Sequence, residues 1–174
     1  MAKILSFCKD FVVIFVCALL LSLVIKTFLI DNRLIPTSSM VPTVPTNGRI
    51  LVNRLIYDFG GPKFQDIVVF EPTETTKIEV GRDDDMLKRV IGLPGDVVQV
   101  LDAQLYVNGQ AIDEPYLAEQ MTYEFGPVTV PEDSVLLLGD NRNVSFDAHM
   151  WSKPFVTLDN VKGQAFFLYW PTSQ

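Results

Sequence analysis

Side chains that build metal sites and disulfide frameworks are scarce in this sequence. Its 174 residues include one histidine, His149, and two cysteines. Cys8 and Cys17 fall in or beside a long apolar segment near the N-terminus, so neither can cross-link the domain that follows. The aspartate run at 83–85 lacks the spaced oxygen ligands of a calcium loop and is typical of a solvated acidic loop. We therefore expect no metal site and no cofactor.

Positive charge is also in short supply beyond the N-terminal segment. Residues 1–33 hold four of the 14 basic residues and two of the 21 acidic ones, so the remainder carries a formal charge of −9. Nucleic-acid binding depends on clustered lysine and arginine that neutralise phosphates. The sequence therefore argues against a nucleic-acid partner.

Apolar residues are concentrated in one segment. Residues 11–30 contain a single charged residue, Lys26, near one end, and twenty residues are about the length that spans a bilayer core. No small-x-small cleavage pattern follows, which favours an uncleaved anchor over a signal peptide. A buried core helix is less favoured, because no polar face recurs. We expect a cytoplasmic N-terminus over 1–10, a transmembrane helix over 11–30 and an extracytoplasmic domain over 31–174, although the positive charges at the two ends are nearly balanced.

Beyond residue 34, short apolar runs alternate with turn residues, and no long stretch has a helical period. The fold class we expect is mainly β: one N-terminal transmembrane helix followed by an antiparallel β catalytic domain. Asn108-Gly109 predicts a tight hairpin within a small insertion at about 100–133. The predicted strands are 49–57, 66–71, 77–80, 86–91, 96–101, 104–107, 122–125, 134–138 and 161–170.

Three consecutive hydroxyl residues, Thr37, Ser38 and Ser39, lie between two prolines shortly after the apolar segment. Alone, such a stretch is typical of a polar spacer outside a membrane. A nucleophilic serine needs a base to activate it. That base is either a histidine, of which only His149 is present, or an uncharged lysine.

Lys88 is a candidate for an uncharged lysine. Lowering the pKa of a lysine by about three units costs roughly 4 kcal/mol, so a lysine base has to be buried. In the predicted strand over 86–91, Lys88 lies on the same face as Met86 and Val90. Arg89 lies on the opposite face. The pattern alone favours a plainer interpretation, in which both cations guard a sheet edge against aggregation.

Several motifs, in order along the chain, resemble those of type I signal peptidases. The segment 35–44 is similar to their serine box, and 88–96 is very similar to their lysine box. Three further blocks resemble the remaining family motifs: 65–70, 105–109 with 114–117, and 138–142 with Ser145 and Asp147. The resemblance therefore covers most of the chain.

This resemblance implies a Ser/Lys endopeptidase that removes signal peptides from exported preproteins at the outer face of a membrane. Ser39 aligns with the nucleophile and Lys88 with the general base. Thr37 aligns with the hydroxyl that assists the oxyanion hole. This alignment fits an extended chain, in which alternate residues point to the same side, so that Thr37 Oγ and the Ser39 backbone N–H could converge on one oxyanion. Ser38 falls at a variable position. Four residues of the last motif would support the site: Asp140, Arg142, Ser145 and Asp147.

The resemblance also implies what the site binds. Its apolar pocket would accept small residues at the first and third positions before the cut. The expected partners are preprotein signal peptides, the lipid bilayer and the secretion translocon, at a bacterial plasma membrane or a thylakoid membrane; a mitochondrial inner membrane fits equally well. The substrate-binding residues would be Ile35, Pro36, Met40, Val44, Met86 and Leu87.

The last motif departs from the family pattern at residues 143, 144, 148, 149 and 152. His149 stands where arginine is usual, so the family's Asp–Arg pair would become Asp147 with His149, which forms an ion pair only when the histidine is protonated. These departures leave an alternative open, an inactive membrane-anchored relative that binds preproteins or a partner. A self-cleaving repressor protease is less favoured, because the chain has no Ala-Gly or Cys-Gly cut site.

Overall fold

The computed structural model describes residues 2–24 and 29–170. Helix α1 runs from Ala2 to Val24. Every side chain over 11–23 is exposed, and the large apolar ones are between 44% and 67% exposed around the whole circumference of the helix. In the described part of the chain, no helix is long and apolar enough to cross a membrane.

The predicted transmembrane helix over 11–30 is therefore not confirmed. Residues 25–28 of that span lie outside the described residues. Its predicted end is wrong, because Ile30 begins strand β1 (Ile30–Ile35) and pairs with Asn53. The alternating Asp31 and Arg33 mark this strand in the sequence, but Ile30 also extends the apolar run and was counted with it.

The prediction of a mainly antiparallel β fold is confirmed. The described strands form a seven-stranded sheet, in the order β1-β2-β11-β3-β4-β9-β10, and a four-stranded sheet, in the order β7-β6-β5-β8, with antiparallel pairing throughout. After β1, the strands are β2 (Gly48–Asn53), β3 (Ile67–Phe70), β4 (Met86–Gly92), β5 (Val97–Leu101), β6 (Gln104–Val107), β7 (Gln110–Ala111), β8 (Phe125–Thr129), β9 (Ser134–Leu138), β10 (Phe155–Thr157) and β11 (Val161–Trp170).

Strand β4 lies between β3 and β9, and all seven of its residues are buried. The interpretation of Lys88 and Arg89 as guards of a sheet edge is therefore wrong, because β4 is not an edge strand. Met86 and Val90 pack into the core that the two sheets share, whereas Leu87 packs into a second cluster around Met40 and Ile50. The predicted alternation of faces is confirmed at these positions, and it places Lys88 inside the protein.

The hairpin predicted at Asn108-Gly109 is confirmed. Both residues have positive φ angles, 53° and 76°, and β6 pairs with β7 across them. Glycine and asparagine tolerate this left-handed backbone, which is why the dipeptide predicts such turns. The sheet that contains this hairpin spans residues 97–129, so it begins at β5, slightly before the predicted insertion.

Two strand predictions are wrong. Residues 77–80 belong to helix α2 (Glu74–Val80). Thr73 caps its N-terminus, where the Thr73 side chain accepts a hydrogen bond from the Thr76 N–H, and Gly81 caps its C-terminus with a φ of 72°. Threonine before an acidic first turn, with glycine after the last, is a capping signal that outweighs β-branched content here. Strand β8 begins at Phe125, where the predicted strand over 122–125 ends.

Candidate active site

The hydroxyl segment forms a tight loop between β1 and β2. The Val41 N–H donates to the Ser38 carbonyl at 3.1 Å, so the chain turns here and is not extended as predicted. Met40 and Val44 are buried and hold the loop on the second core cluster. Thr37 Oγ1 lies 3.3 Å from Ser39 Oγ, within hydrogen-bond distance. The turn therefore brings the two hydroxyls together.

Lys88 approaches this loop from the buried strand β4. Lys88 is only 2% exposed. Its pKa is lowered to about 8: burial is the largest cause, the negative charges of Asp147 and Asp140 oppose it, and the positive charge of Arg82 adds to it. Among residues 2–24 and 29–170, no carboxylate forms an ion pair with Lys88. Desolvation therefore prepares this lysine to accept a proton near neutral pH.

Ser39 and Lys88 line the same cavity, although 49 positions separate them in the sequence. The cavity has a volume of about 300 Å³ and is also lined by Thr37. In the described residues no hydrogen bond joins Ser39 Oγ to Lys88 Nζ. Catalytic hydrogen bonds in unliganded sites are often long and tighten when substrate binds.

Four of the six predicted substrate-binding residues line this cavity: Ile35, Pro36, Met86 and Leu87. Met40 and Val44 do not line it. They are 0% and 3% exposed, and they pack in the core beneath the Ser39 loop. Their position supports the loop, whereas direct contact with a substrate stays a prediction.

Asp140 belongs to the segment that follows β9. It accepts two hydrogen bonds from Arg89, at 2.8 Å to Oδ1 and 2.6 Å to Oδ2. The Arg89 guanidinium also donates to the Gln65 carbonyl and lies 3.9 Å from the centre of the Tyr116 ring. This buried pair joins the segment after β9 to strand β4, one residue beyond Lys88.

Arg142 is buried and pairs with Glu114. Its two terminal nitrogens lie 3.0 Å and 2.6 Å from the carboxylate oxygens, and Nε donates to the Gly139 carbonyl at 3.0 Å. Glu114 precedes the segment that leads into β8, so Arg142 fixes the loop after β9 to the smaller sheet. The structure thus gives Arg142 buried contacts that hold this loop, and its supporting role in catalysis stays a prediction.

Asp147 accepts hydrogen bonds on both carboxylate oxygens. The Gly139 N–H lies 2.7 Å from Oδ2, and His149 Nδ1 lies 2.7 Å from Oδ1. His149 also stacks on Tyr123, with ring centres 3.9 Å apart. The expected contact between Asp147 and His149 is therefore present.

Ser145 lies where the segment after β9 meets the Ser39 loop. Its hydroxyl is buried and has no hydrogen-bond partner among the described residues. A Cβ added to Gly139 would collide with Ser145 Oγ and with the Ser39 carbonyl oxygen. Only glycine therefore lets Ser145 come this close to the Ser39 loop. The structure describes no group of three His, Cys, Asp or Glu residues that could hold a metal ion.

Comparison with known proteins agrees with this geometry. The family model described as signal peptidase, peptidase S26, matches residues 8–170. The chain belongs to this family. Probable signal peptidase I-2 of Synechocystis sp. is 45% identical over 156 residues, covering 90% of this chain and 70% of the relative. Signal peptidase I of Leptolyngbya laminosa is 42% identical, covering 90% and 77%.

More distant relatives of this signal peptidase family member include a chloroplast protein and a solved structure. Thylakoidal processing peptidase 1 of Arabidopsis thaliana is 34% identical, covering 99% of this chain and 51% of the relative. The crystal structure of a signal peptidase I from Enterococcus faecalis has a TM-score of 0.50 and 32% identity, covering 60% of this chain and 97% of that one. The match supports the β fold described above.

The sequence predicts no role for three residues that lie near the site. Asn141 donates to the Ser39 carbonyl through its backbone N–H at 3.0 Å and to the Ser38 carbonyl through its side chain at 3.1 Å. Gly139 provides the close approach described above, and Arg82 lines the cavity beside Lys88. Asn141 and Gly139 were visible as turn-forming residues within the last motif, but nothing in the sequence distinguished Arg82 from other loop cations.

Proposed function

We propose that this protein is a serine endopeptidase that removes signal peptides from preproteins, with Ser39 as nucleophile and Lys88 as general base. Membership of the signal peptidase family supports the activity. The observation that carries the assignment of residues is that a hydroxyl loop and a buried lysine with a pKa of about 8 line one cavity. A neutral lysine of this pKa can take a proton from serine near neutral pH.

The proposed reaction follows from the groups around Ser39. Lys88 accepts the hydroxyl proton while Ser39 Oγ bonds to the carbonyl carbon of the residue before the cut. The negative oxygen that develops is stabilised by Thr37 Oγ1 and the Ser39 backbone N–H. Lys88 then returns the proton to the leaving amine, which completes the acyl-enzyme. A water molecule, activated by Lys88, hydrolyses this ester and regenerates the serine.

The supporting residues act on the position of these groups. Asp140 and Arg142 hold the segment after β9 through buried ion pairs. Ser145 presents a buried hydroxyl beside the Ser39 loop, where it can orient the lysine, and Asp147 carries the negative charge that acts most strongly on Lys88. The small side chains of a small-x-small cleavage site would bind at the apolar part of the cavity, which is lined by Ile35, Pro36, Met86 and Leu87.

We also propose that the protein acts at a membrane. The exposed apolar side chains over 11–23 surround α1 and would contact lipid. Residues 1–10 would then lie in the cytoplasm, with the apolar part of α1 as anchor and the β domain from Ile30 onward on the extracytoplasmic side. Cyanobacterial and thylakoidal relatives support a bacterial plasma membrane or a thylakoid membrane. The bilayer and the secretion translocon are the further partners that this placement predicts.

The test uses the full-length protein in detergent and a preprotein with an Ala-x-Ala site. Wild type, Ser39→Ala, Ser38→Ala and Lys88→Ala are incubated in parallel, and the products are identified by mass. Cleavage after the second alanine by wild type and Ser38→Ala alone supports the proposal. If folded wild type binds the preprotein without cutting it, the protein is an inactive relative and the proposal is wrong.

A further inference from the structure

Arg82 occupies a position that the proposed reaction does not use. It directly follows Gly81, the C-terminal cap of α2, and three residues separate it from β4. Besides the cavity described above, Arg82 lines a second, adjacent cavity of about 190 Å³. The two cavities share five lining residues: Thr37, Ser39, Arg82, Met86 and Lys88. Arg82 therefore lies where both cavities meet the proposed catalytic pair.

The guanidinium of Arg82 has an unused hydrogen-bond donor. Its Nε is buried and has no acceptor among the described residues. The carboxylate of Asp85, which lines the larger cavity, is already engaged by Lys162 at 2.7 Å and by Arg33 at 3.0 Å. Buried arginine donors in folded proteins normally have a partner. An acceptor group that enters the cavities would satisfy this donor.

A preprotein that reaches Ser39 supplies such groups. A peptide bound in extended form has a carbonyl oxygen at every residue, and these oxygens need donors once water is displaced. Building on the proposed function, we infer that Arg82 is a substrate-binding residue that donates hydrogen bonds to an oxygen of the preprotein beside the scissile bond. That oxygen belongs either to a backbone carbonyl or to an acidic side chain next to the cut, and the two sources are separated by experiment.

The experiment compares Arg82→Met and Arg82→Lys with wild type in detergent. Arg49→Met is the matched control, because Arg49 is an exposed arginine that lines neither cavity. Two peptide substrates share an Ala-x-Ala site and differ only in glutamate or glutamine at the second position after the cut. Both kcat and KM are measured from pH 7 to pH 10, and unfolding midpoints confirm that the variants are folded.

We expect Arg82→Met to lower kcat/KM by roughly 10- to 100-fold at every pH, the worth of one charge-assisted hydrogen bond. Equal losses on both substrates identify a backbone carbonyl, and a loss confined to the glutamate substrate identifies a carboxylate. Arg82→Lys keeps the charge but not the planar donors, so it should recover only part of the activity.

Two results would overturn the inference while leaving the proposed function intact. In the first, Arg82→Met matches Arg49→Met on both substrates. In the second, the loss of kcat/KM in Arg82→Met disappears at pH 10, and Arg82→Lys retains full activity. Arg82 would then act only through the effect of its charge on Lys88. A wild-type protein that cleaves neither peptide would instead refute the proposed function, and the inference with it.

Discussion

Replacing Lys88 with methionine should abolish cleavage and at the same time stabilise the fold. Burial lowers the pKa of this lysine from 10.5 to about 8. A shift of this size corresponds to about 3 kcal/mol, the free energy by which the buried charge destabilises the folded state. Methionine has a similar shape and no charge, so Lys88→Met removes that penalty without opening a large cavity.

The sign of the effect fixes its pH dependence. Below pH 8 the lysine is protonated in both the folded and the unfolded chain, and the full penalty is present. Between pH 8 and pH 10.5 the unfolded chain binds more protons, so the stability of wild type rises with pH. Above pH 10.5 both states are neutral and the penalty is gone. The advantage of Lys88→Met should therefore be full at pH 7 and fall to about 1 kcal/mol or less by pH 10.

The measurement is unfolding of wild type and Lys88→Met in the same detergent at pH 7 and pH 10. For a chain of this size, about 3 kcal/mol corresponds to a rise in Tm of roughly 6–12 °C. Lys153→Met is the matched control, because Lys153 is exposed and its variant should show no such gain. A Lys88→Met protein that is equally or less stable at pH 7, or whose advantage does not change with pH, would refute the reasoning.

Three further substitutions test the supporting loop. Asp140→Asn should destabilise the fold by about 3–5 kcal/mol in denaturant unfolding, because it leaves Arg89 buried without its carboxylate. The control Asp83→Asn changes an exposed residue and should have no such effect. Equal unfolding midpoints for wild type and Asp140→Asn would contradict this prediction. Gly139→Ala should lower kcat more than it raises KM, since the added Cβ collides with the carbonyl oxygen of Ser39, the proposed nucleophile; an unchanged kcat would exclude this role for Gly139. His149→Arg should increase activity most at high pH, where a histidine is uncharged; an unchanged pH profile would disprove it.

The sequence makes Lys88 a candidate base, but its pattern alone favours a guard at a sheet edge, so the choice of Lys88 as the proposed base needs the family resemblance. A lysine that acts as a base has to lie on a buried strand, and Lys88 alternates with apolar residues in a strand-forming run. The choice of Ser39 as the proposed nucleophile also needs the family resemblance, since Thr37, Ser38 and Ser39 are chemically alike. The structure separates them by a turn that leaves Ser38 exposed and outside the larger cavity.

Contacts between distant segments could not be predicted from the sequence. Nothing in the sequence indicates that Arg142 selects Glu114 over the nearer Asp140, because both carboxylates fit an arginine equally well. The choice is made by the smaller sheet, which places Glu114 against the loop after β9. Helix α2 was missed for a different reason: its seven residues are too few for an apolar period, so only its caps mark it.

The buried charges around the site explain why Lys88 is the group that titrates. Arg89 pairs with Asp140 and Arg142 pairs with Glu114, so these two cations keep a stabilised charge. Lys88 is the buried cation that has no ion pair within the residues that the structure describes. An unpaired buried ammonium relieves its desolvation by losing a proton, and a paired guanidinium does not. The same pairing that holds the loop beside Ser39 therefore engages carboxylates that would otherwise raise the pKa of Lys88, and it favours the uncharged amine that the proposed reaction needs.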